Sequence, residues 1–359
     1  MNFIVLRKIL FIGLFFFYLA LPTVYIANSL VQTYDDEVTQ LFVKEGVSRP
    51  YFQNLEKKKN LFQDWMDASL GIRNSIIKNF NYAYWRYLGL SIYPAEVNAG
   101  KDGWFFQGKA SFEQYTGKRL FSPRELENWI EVMEARQKWL AGQGIHFYII
   151  FAPTKYFVYP EKLAFWVRKA QYTSVDQLFD RLGKSTLHYY DGLEAVLDKK
   201  NEHRVYTTAD IIHWTDSGAW FVFEEAAKEI KKFFPESLTW PDILHSGYRK
   251  YVIGKNFCGM ARKLLKFDDM VPCPWETPVL EGGNNYEFTG KDAWKFKGRE
   301  NRDMSIWPNN TTVTVHNLDG NNGVKALVLG HSFVGSISRY FNRMFSEVSY
   351  DFVLSLIHI

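Results

Sequence analysis

An apolar run near the end of the chain leads into a glycine and a serine, and a second apolar stretch follows at once. The segment reads Val328-Leu-Gly-His-Ser-Phe333. A strand that places a serine on a tight turn before a helix is the arrangement of nucleophilic serines in α/β folds. About 120 residues upstream, Asp210-Ile-Ile-His213 offers a base and an orienting carboxylate within one turn of chain. The two segments together predict acyl chemistry in an α/β domain.

The three residue types suit this chemistry because a serine hydroxyl is a weak nucleophile at neutral pH. Ser332 needs an imidazole to take its proton, and the imidazole needs a carboxylate to hold its tautomer. We assign these roles to His213 and Asp210, with the backbone N–H of Ser332 and the next helical turn as oxyanion donors. Each segment also has a structural explanation, since Ser332 can cap a helix and His213 can serve as a capping or packing residue.

The N-terminus carries a membrane signal. Arg7 and Lys8 precede an uncharged, mostly apolar run from Ile9 to about Ala27, and a helix of this length, at about 1.5 Å per residue, crosses a hydrocarbon core of roughly 30 Å. The basic residues before the run place the N-terminus inside. We expect a cytoplasmic tip and signal anchor over residues 1–30, a single pass through the inner membrane, and a periplasmic remainder. A cleaved signal peptide is the alternative.

The region after the anchor divides into two parts. Residues 31–95 are charged and helical in pattern and predict a membrane-proximal stalk. In residues 96–353 helix and strand signals alternate: a capping box at Ser122 opens one helix, the run from Ile145 to Phe151 predicts a strand, and Ser174 to Leu182 predicts another helix. This alternation predicts a central, mainly parallel sheet flanked by helices. Residues 235–312 carry no assignable pattern.

Composition excludes several functions. A net charge of +4, from 43 basic and 39 acidic residues, is too weak for a nucleic-acid groove, so we expect no nucleic-acid partner. Cys258 and Cys273 are the only cysteines, which rules out a cysteine-based zinc site. We predict neither a metal nor a cofactor. The two cysteines form either one disulfide or two buried thiols.

The last six residues, Leu354 to Ile359, can be encoded by a transposon end that is used in sequencing libraries. We interpret residues 354–359 as read-through into an adapter. The natural protein is then expected to continue past about Val353.

Four segments, in the same order, resemble the membrane-anchored alginate O-acetyltransferase group (the AlgJ/AlgX type) of the SGNH hydrolase superfamily. The resemblance lies in Gly100-Lys-Asp-Gly-Trp-Phe-Phe106, in Ala152-Pro-Thr-Lys155 with Tyr159-Pro-Glu-Lys-Leu163, in His213-Trp-Thr-Asp-Ser-Gly-Ala219 and in Val328 to Phe333. The resemblance implies an SGNH-type α/β fold. It also implies acetyl transfer through a Ser-His-Asp acyl-enzyme to hydroxyls of an exopolysaccharide or cell-wall glycan.

The resemblance further implies a partner membrane protein of the MBOAT type that supplies the acetyl group. Lys155, Trp104 and Trp214 are candidates for binding substrate, although Lys155 and Trp104 also suit a packed core. Two alternatives stay open, a secreted carbohydrate acetylesterase and a catalytically decayed glycan-binding or scaffold protein.

Two positions depart from the family pattern. His331 stands where the family has Asp, and Asp210 lies three positions before His213 instead of two. The three-residue spacing is that of ordinary SGNH esterases, so Asp210 remains the predicted orienter. Asp191 and Asp216 are the alternatives.

Overall fold

The computed structural model describes residues 71–252, 272–282, 284–297, 305–306, 312–320 and 322–351. Contacts divide the chain into two compact units, Met1–Asn81 and Tyr82–Ile359. The described part of the first unit, residues 71–81, is helical, and every described strand belongs to the second. Within these residues, no helix combines the length and the apolarity that a membrane crossing needs. The predicted anchor, the stalk up to residue 70 and the C-terminal hexapeptide lie outside the described residues.

The helices begin where the sequence supplies caps. Ser122 forms the predicted capping box, since its hydroxyl accepts from the Glu125 amide while the Glu125 carboxylate accepts from the Ser122 amide. Thr173 and Asp176 form a second box. The helices are α1 (Gly71–Leu88), α2 (Lys109–Tyr115), α3 (Pro123–Ala141), α4 (Lys155–Val158), α5 (Ser174–Leu182), α6 (Leu193–Lys199), α7 (Asp216–Lys231) and α8 (Val334–Met344), with 3₁₀ turns at Pro160–Lys162 and Ala293–Phe296.

The strands in the described part of the chain pair in four small sheets. They are β1 (Val97–Ala99), β2 (Phe105–Gln107), β3 (Ile149–Phe151), β4 (Tyr189–Asp191), β5 (His245–Val252), β6 (Pro274–Leu280), β7 (Tyr286–Thr289), β8 (Thr312–Asn317), β9 (Lys325–Leu329) and β10 (Glu347–Asp351). The largest sheet has the order β7-β8-β10-β9, and the other three are the pairs β1-β2, β3-β4 and β5-β6.

The predicted helix–strand alternation is confirmed, but the single central, mainly parallel sheet is not observed among the described strands. Only β3 with β4 and β9 with β10 pair in parallel, and the other pairs are antiparallel. β3 and β4 are three residues long, so each ladder is short. The unassigned stretch after residue 235 supplies β5, β6 and β7, which add antiparallel pairs.

A tight turn joins β1 to β2 in the glycine-flanked segment that the sequence marks. Asp102 and Gly103 have φ angles of 53° and 80°, which is the geometry of a two-residue turn in which both central residues are left-handed. The turn holds Phe105 and Phe106 in register with the strand before it. β2 then lies against the segment that carries Asp210.

The core consists of three apolar clusters. The largest gathers side chains of α7, α8 and the four-stranded sheet, the second lies between the β1-β2 hairpin and Ala209 and Ile211, and the third joins α3 and α5 to β3 and β4. Cys273 belongs to the second cluster and is disulfide-bonded. Cys258, the chain's other cysteine, lies outside the described residues. The second cluster fixes the chain on both sides of Asp210.

Candidate active site

Asp210 lies in an irregular segment that runs beside β2. The Phe105 amide donates to the Thr208 carbonyl at 2.9 Å, and the Gln107 amide donates to the Ile211 carbonyl at 3.1 Å. Ala209 and Ile211 are buried in the second core cluster. Because both neighbours point into the core, the carboxylate of Asp210 turns back toward its own chain.

That carboxylate closes the turn that begins at Asp210. Its Oδ1 accepts from the amides of Ile212 and His213, each at 2.8 Å, and its Oδ2 lies 3.1 Å from His213 Nδ1. The three-residue spacing thus gives one carboxylate both a backbone and an imidazole contact. The departure from the family's spacing still brings the carboxylate to the imidazole.

Ser332 lies on the turn between β9 and α8. Any Cβ at Gly330 would approach Val334 Cγ2 to 2.4 Å, which explains the glycine before the nucleophile position. Ser332 Oγ lies 2.6 Å from His213 Nε2. The structure therefore brings Ser332, His213 and Asp210, which are up to 122 positions apart in the sequence, into one hydrogen-bonded chain.

The electrostatics favour an ionised Asp210 carboxylate beside the His213 ring. Burial by itself raises the pKa of a carboxyl group, but at Asp210 the charge of His213 and the hydrogen bonds from His213 and the Ile212 amide outweigh it. The pKa of Asp210 therefore lies below its usual value. The side chain of Asp210 is 5% exposed and that of His213 is 19% exposed, so the chain runs from a buried acid to an accessible base.

Trp214 gives the turn a second tie, one residue beyond His213. Its Nε1 donates to the Phe333 carbonyl at 3.2 Å, and its ring packs edge-on against the Phe333 ring at 5.2 Å. The Phe333 ring also contacts His213 at 5.5 Å. The turn that carries His213 and Trp214 is therefore tied to the turn that carries Ser332 and Phe333. The sequence reasoning did not single out Phe333, although its place after the serine could have indicated it.

The backbone amides that follow Ser332 donate to acceptors within the turn. The amide of Ser332 itself differs from them in this respect. Val334 N–H donates to the His331 carbonyl at 2.9 Å, and Gly335 N–H donates to the Ser332 carbonyl at 3.0 Å. The Phe333 amide faces His331 Nδ1 at 3.4 Å. Across the described ranges, no acceptor lies within hydrogen-bond distance of the Ser332 amide. The His331 ring itself packs edge-on against Phe333.

The two alternative carboxylates have other contacts. Asp191 accepts from the amide of Leu193, the first residue of α6, at 3.0 Å. Asp216 lies 3.4 Å from Arg339 Nη1, at the start of α7. In the part of the chain that the structure describes, Asp210 is the carboxylate that bonds the His213 ring.

The three residues predicted to bind substrate all lie in the interior. Trp104 packs against Tyr159 at 4.3 Å, and Lys155 places its ammonium over the Trp104 ring and among main-chain carbonyls. Trp214 is 2% exposed. The three side chains are therefore part of the packed interior and are not exposed. Within the described ranges, no group of three or more histidine, cysteine or acidic side chains could hold a metal.

A serine at the start of a helix, an accessible imidazole and a buried carboxylate, bonded in this order, have the arrangement of a serine triad. Residues 97–242 match the family described as "SGNH hydrolase-like domain, acetyltransferase AlgX". This match confirms the resemblance drawn from the motifs that lie within residues 97–242, and this part of the chain is similar to the AlgX type of acetyltransferase domain. No curated protein sequence matches the chain.

Solved structures of similar fold extend beyond that segment. The structure of Bacillus cereus PatB1 with a sulfonyl adduct is 16% identical, with a TM-score of 0.51, over 72% of this chain and 88% of that one. A DHHW family protein from Eubacterium siraeum is 14% identical, with a TM-score of 0.49, over 71% of this chain and 81% of that one. The O-acetyltransferase domain of Pseudomonas putida AlgJ is 16% identical, with a TM-score of 0.41, over 72% and 79%.

Proposed function

We propose that this protein transfers acetyl groups onto hydroxyls of an exopolysaccharide or cell-wall glycan through an acetyl-Ser332 intermediate. The observation that carries the proposal is the continuous hydrogen-bonded chain from Asp210 through His213 to Ser332. It lies partly in a segment that matches an acetyltransferase family. That family description supports acetyl as the transferred group.

In the first half-reaction, the Ser332 hydroxyl attacks the acetyl carbonyl while its proton passes to His213 Nε2. The donor's leaving group then departs with that proton, and the acetyl group stays on Ser332 Oγ. The Ser332 amide is placed to donate to the oxyanion, and the N-terminal end of α8 adds the partial positive charge of its dipole. Asp210 keeps the proton on His213 Nδ1 throughout.

In the second half-reaction, a glycan hydroxyl replaces the donor. His213 takes the hydroxyl proton as the oxygen attacks the acetyl carbon, and it returns that proton to Ser332 Oγ as the ester leaves. Water at the same position would give hydrolysis instead. The acceptor therefore separates the proposed transferase from an acetylesterase that has the same three residues.

The test uses the full chain in detergent with an aryl acetate as donor, with and without glycan oligosaccharides. We expect an acetylated Ser332 in a mass spectrum and acetyl groups on the glycan when it is present. Ser332→Ala is the matched control and should show neither. Hydrolysis without transfer to any glycan would favour the esterase, and failure of Ser332 to react even with a fluorophosphonate would indicate a decayed site.

We propose that the domain works in the periplasm, held to the inner membrane by residues 9–27, with acetyl groups supplied by an MBOAT-type partner. The support is Arg7 and Lys8 before the apolar run and the need of an extracytoplasmic transferase for an acetyl source. A reporter that is active only in the periplasm, fused after Tyr93, should be active in the membrane fraction. A shortened soluble product would show a cleaved signal instead.

A further inference from the structure

The ammonium group of Lys155 lies at the convergence of four main-chain carbonyls. It donates to the carbonyl of Phe105 at 2.7 Å, of Thr207 at 2.6 Å, of Thr208 at 3.2 Å and of Asp210 at 2.7 Å. An ammonium has three protons, so these acceptors use its whole donor capacity. Lys155 is 2% exposed, and its Nζ also lies 4.7 Å from the Trp104 ring centre and 5.2 Å from that of Phe106.

Three of the four carbonyls belong to the irregular segment that carries Asp210, and the fourth belongs to β2. Two backbone hydrogen bonds, from the Phe105 and Gln107 amides, also join this segment to β2. Carbonyl dipoles that point at one buried centre repel one another unless a donor fills it, and a buried acceptor without a donor is unfavourable. Lys155 is that donor. Burial lowers the pKa of Lys155 to about 7, while the charge of Asp210 raises it.

Both the main chain and the side chain of Asp210 are therefore hydrogen-bonded. Its carbonyl bonds Lys155, and its carboxylate bonds the Ile212 and His213 amides and the His213 ring. A shift of the Asp210 main chain would move the carboxylate and, through it, the imidazole that faces Ser332. We propose that Lys155 is a positioning residue for acyl transfer, which fixes the Asp210 segment so that His213 stays aligned with Ser332. This inference rests on the proposed function.

The first test is Lys155→Met, which keeps the aliphatic stem and removes the ammonium. A displacement of about 1 Å at a catalytic group can lower a rate by about 100-fold, so we expect kcat with an aryl acetate to fall about 100-fold. The KM should change little, because Lys155 is buried and bonds the main chain of the Asp210 segment.

The matched control is Lys200→Met. The Lys200 ammonium also donates to a carbonyl, that of Val158 at 2.7 Å, and also lies over an aromatic ring, that of Tyr159 at 5.3 Å. No contact joins it to the Asp210 segment among the residues described. Its loss should therefore leave kcat per folded molecule unchanged.

The proton between His213 Nδ1 and Asp210 gives a readout that loss of stability alone does not change. It should produce a downfield resonance in the proton NMR spectrum that is absent in His213→Ala. We expect Lys200→Met to keep this resonance and Lys155→Met to shift or lose it, at temperatures where circular dichroism shows both proteins folded.

Lys155→Gln keeps the inference testable if the methionine variant does not fold. The amide fills most of the same volume and can donate to two carbonyls, but it carries no charge and leaves the other two acceptors unpaired. Of the four carbonyls, that of Thr208 still accepts from the Phe105 amide. We expect about a tenfold loss of kcat and a shifted resonance, by the same misalignment on a smaller scale. Wild-type kcat and an unchanged resonance in a folded Met or Gln variant would overturn the positioning role. Wild-type protein whose Ser332 does not react with a fluorophosphonate would instead overturn the proposed function.

Discussion

Two histidines of the described chain pair with buried carboxylates, His213 with Asp210 and His203 with Glu276. In the first pair, the acid and the base lie three residues apart on one turn, and the far ring nitrogen meets Ser332. In the second pair, the partners lie 73 residues apart at 2.7 Å, and Glu276 also accepts from the Arg204 amide and lies 3.4 Å from Lys250 Nζ.

The surroundings of the two rings differ as much as their partners do. His203 packs against Tyr248 and Phe221, at 4.2 Å and 5.1 Å, and it forms no hydrogen bond to a hydroxyl in the ranges that the structure describes. That pair ties β6 to the segment before Trp214. An imidazole–carboxylate pair is thus a structural tie when its ring packs among aromatic side chains. It becomes a candidate base when its second nitrogen meets a hydroxyl at an accessible surface.

The largest expected effect separates the two histidines. His213→Ala removes the base, and loss of one member of a serine triad lowers kcat by about 10⁶-fold. His203→Gln keeps a donor for Glu276 and should leave kcat per folded molecule within about twofold, because it touches no reacting group. Aryl acetate turnover at matched folded concentrations measures both. Similar losses in the two variants would mean that the comparison is wrong.

The carboxylates should differ in the same way. Asp210→Asn removes the acceptor that fixes the His213 tautomer, and the corresponding change in a serine triad lowers kcat by about 10⁴-fold. Glu276→Gln should keep turnover but lower the free energy of unfolding by about 1.5–3 kcal/mol, the value of a hydrogen bond to a charged group. Urea unfolding and turnover of the same preparations test both. An active Asp210→Asn enzyme would direct attention to Asp191 or Asp216.

Trp214 allows a smaller and finer test. Trp214→Phe keeps a ring against Phe333 but removes the N–H that holds the Phe333 carbonyl, so we expect about a tenfold loss of kcat, equivalent to about 1.4 kcal/mol. Trp220→Phe is the matched control, because Trp220 is also buried but its indole nitrogen has no acceptor among the residues described. Equal losses in both variants would show that volume matters and the hydrogen bond does not.

The sequence predicted those parts of the site whose signals are local. Asp210 and His213 share one turn, and Ser332 follows an apolar run and a glycine, so short segments carry all three residues. The capping box at Ser122 likewise marks a helix that the structure contains.

Long-range features could not be predicted from the sequence. Nothing near Lys155 indicates that carbonyls from Phe105 and Thr207 will surround it, since they lie 50 and 52 residues away. His203, the partner of Glu276, lies 73 residues away from it. Strands of three residues, such as β3 and β4, show too little alternation to reveal which strand pairs with which. The pairing of the strands therefore cannot be predicted from the sequence.

The smallest effect is expected at position 331, where the family has an acid and this chain has histidine. His331 is exposed, its Nδ1 faces the Phe333 amide at 3.4 Å, and its ring packs on Phe333. An aspartate can accept from the same amide. Since His213 already lies 2.6 Å from Ser332 Oγ, His331→Asp should leave kcat within about twofold, because it removes no group that bonds the nucleophile.

The pH–rate profile decides whether His213 or His331 is the base. If His213 is the base, the profile of the His331→Asp enzyme should keep the shape of the wild-type profile, and His213→Ala should be inactive at every pH. If His331 were the base, the pattern would reverse: His331→Asp would be silent and His213→Ala would retain turnover. Because each variant changes one of the two histidines near Ser332, their comparison shows which imidazole takes the proton of the serine.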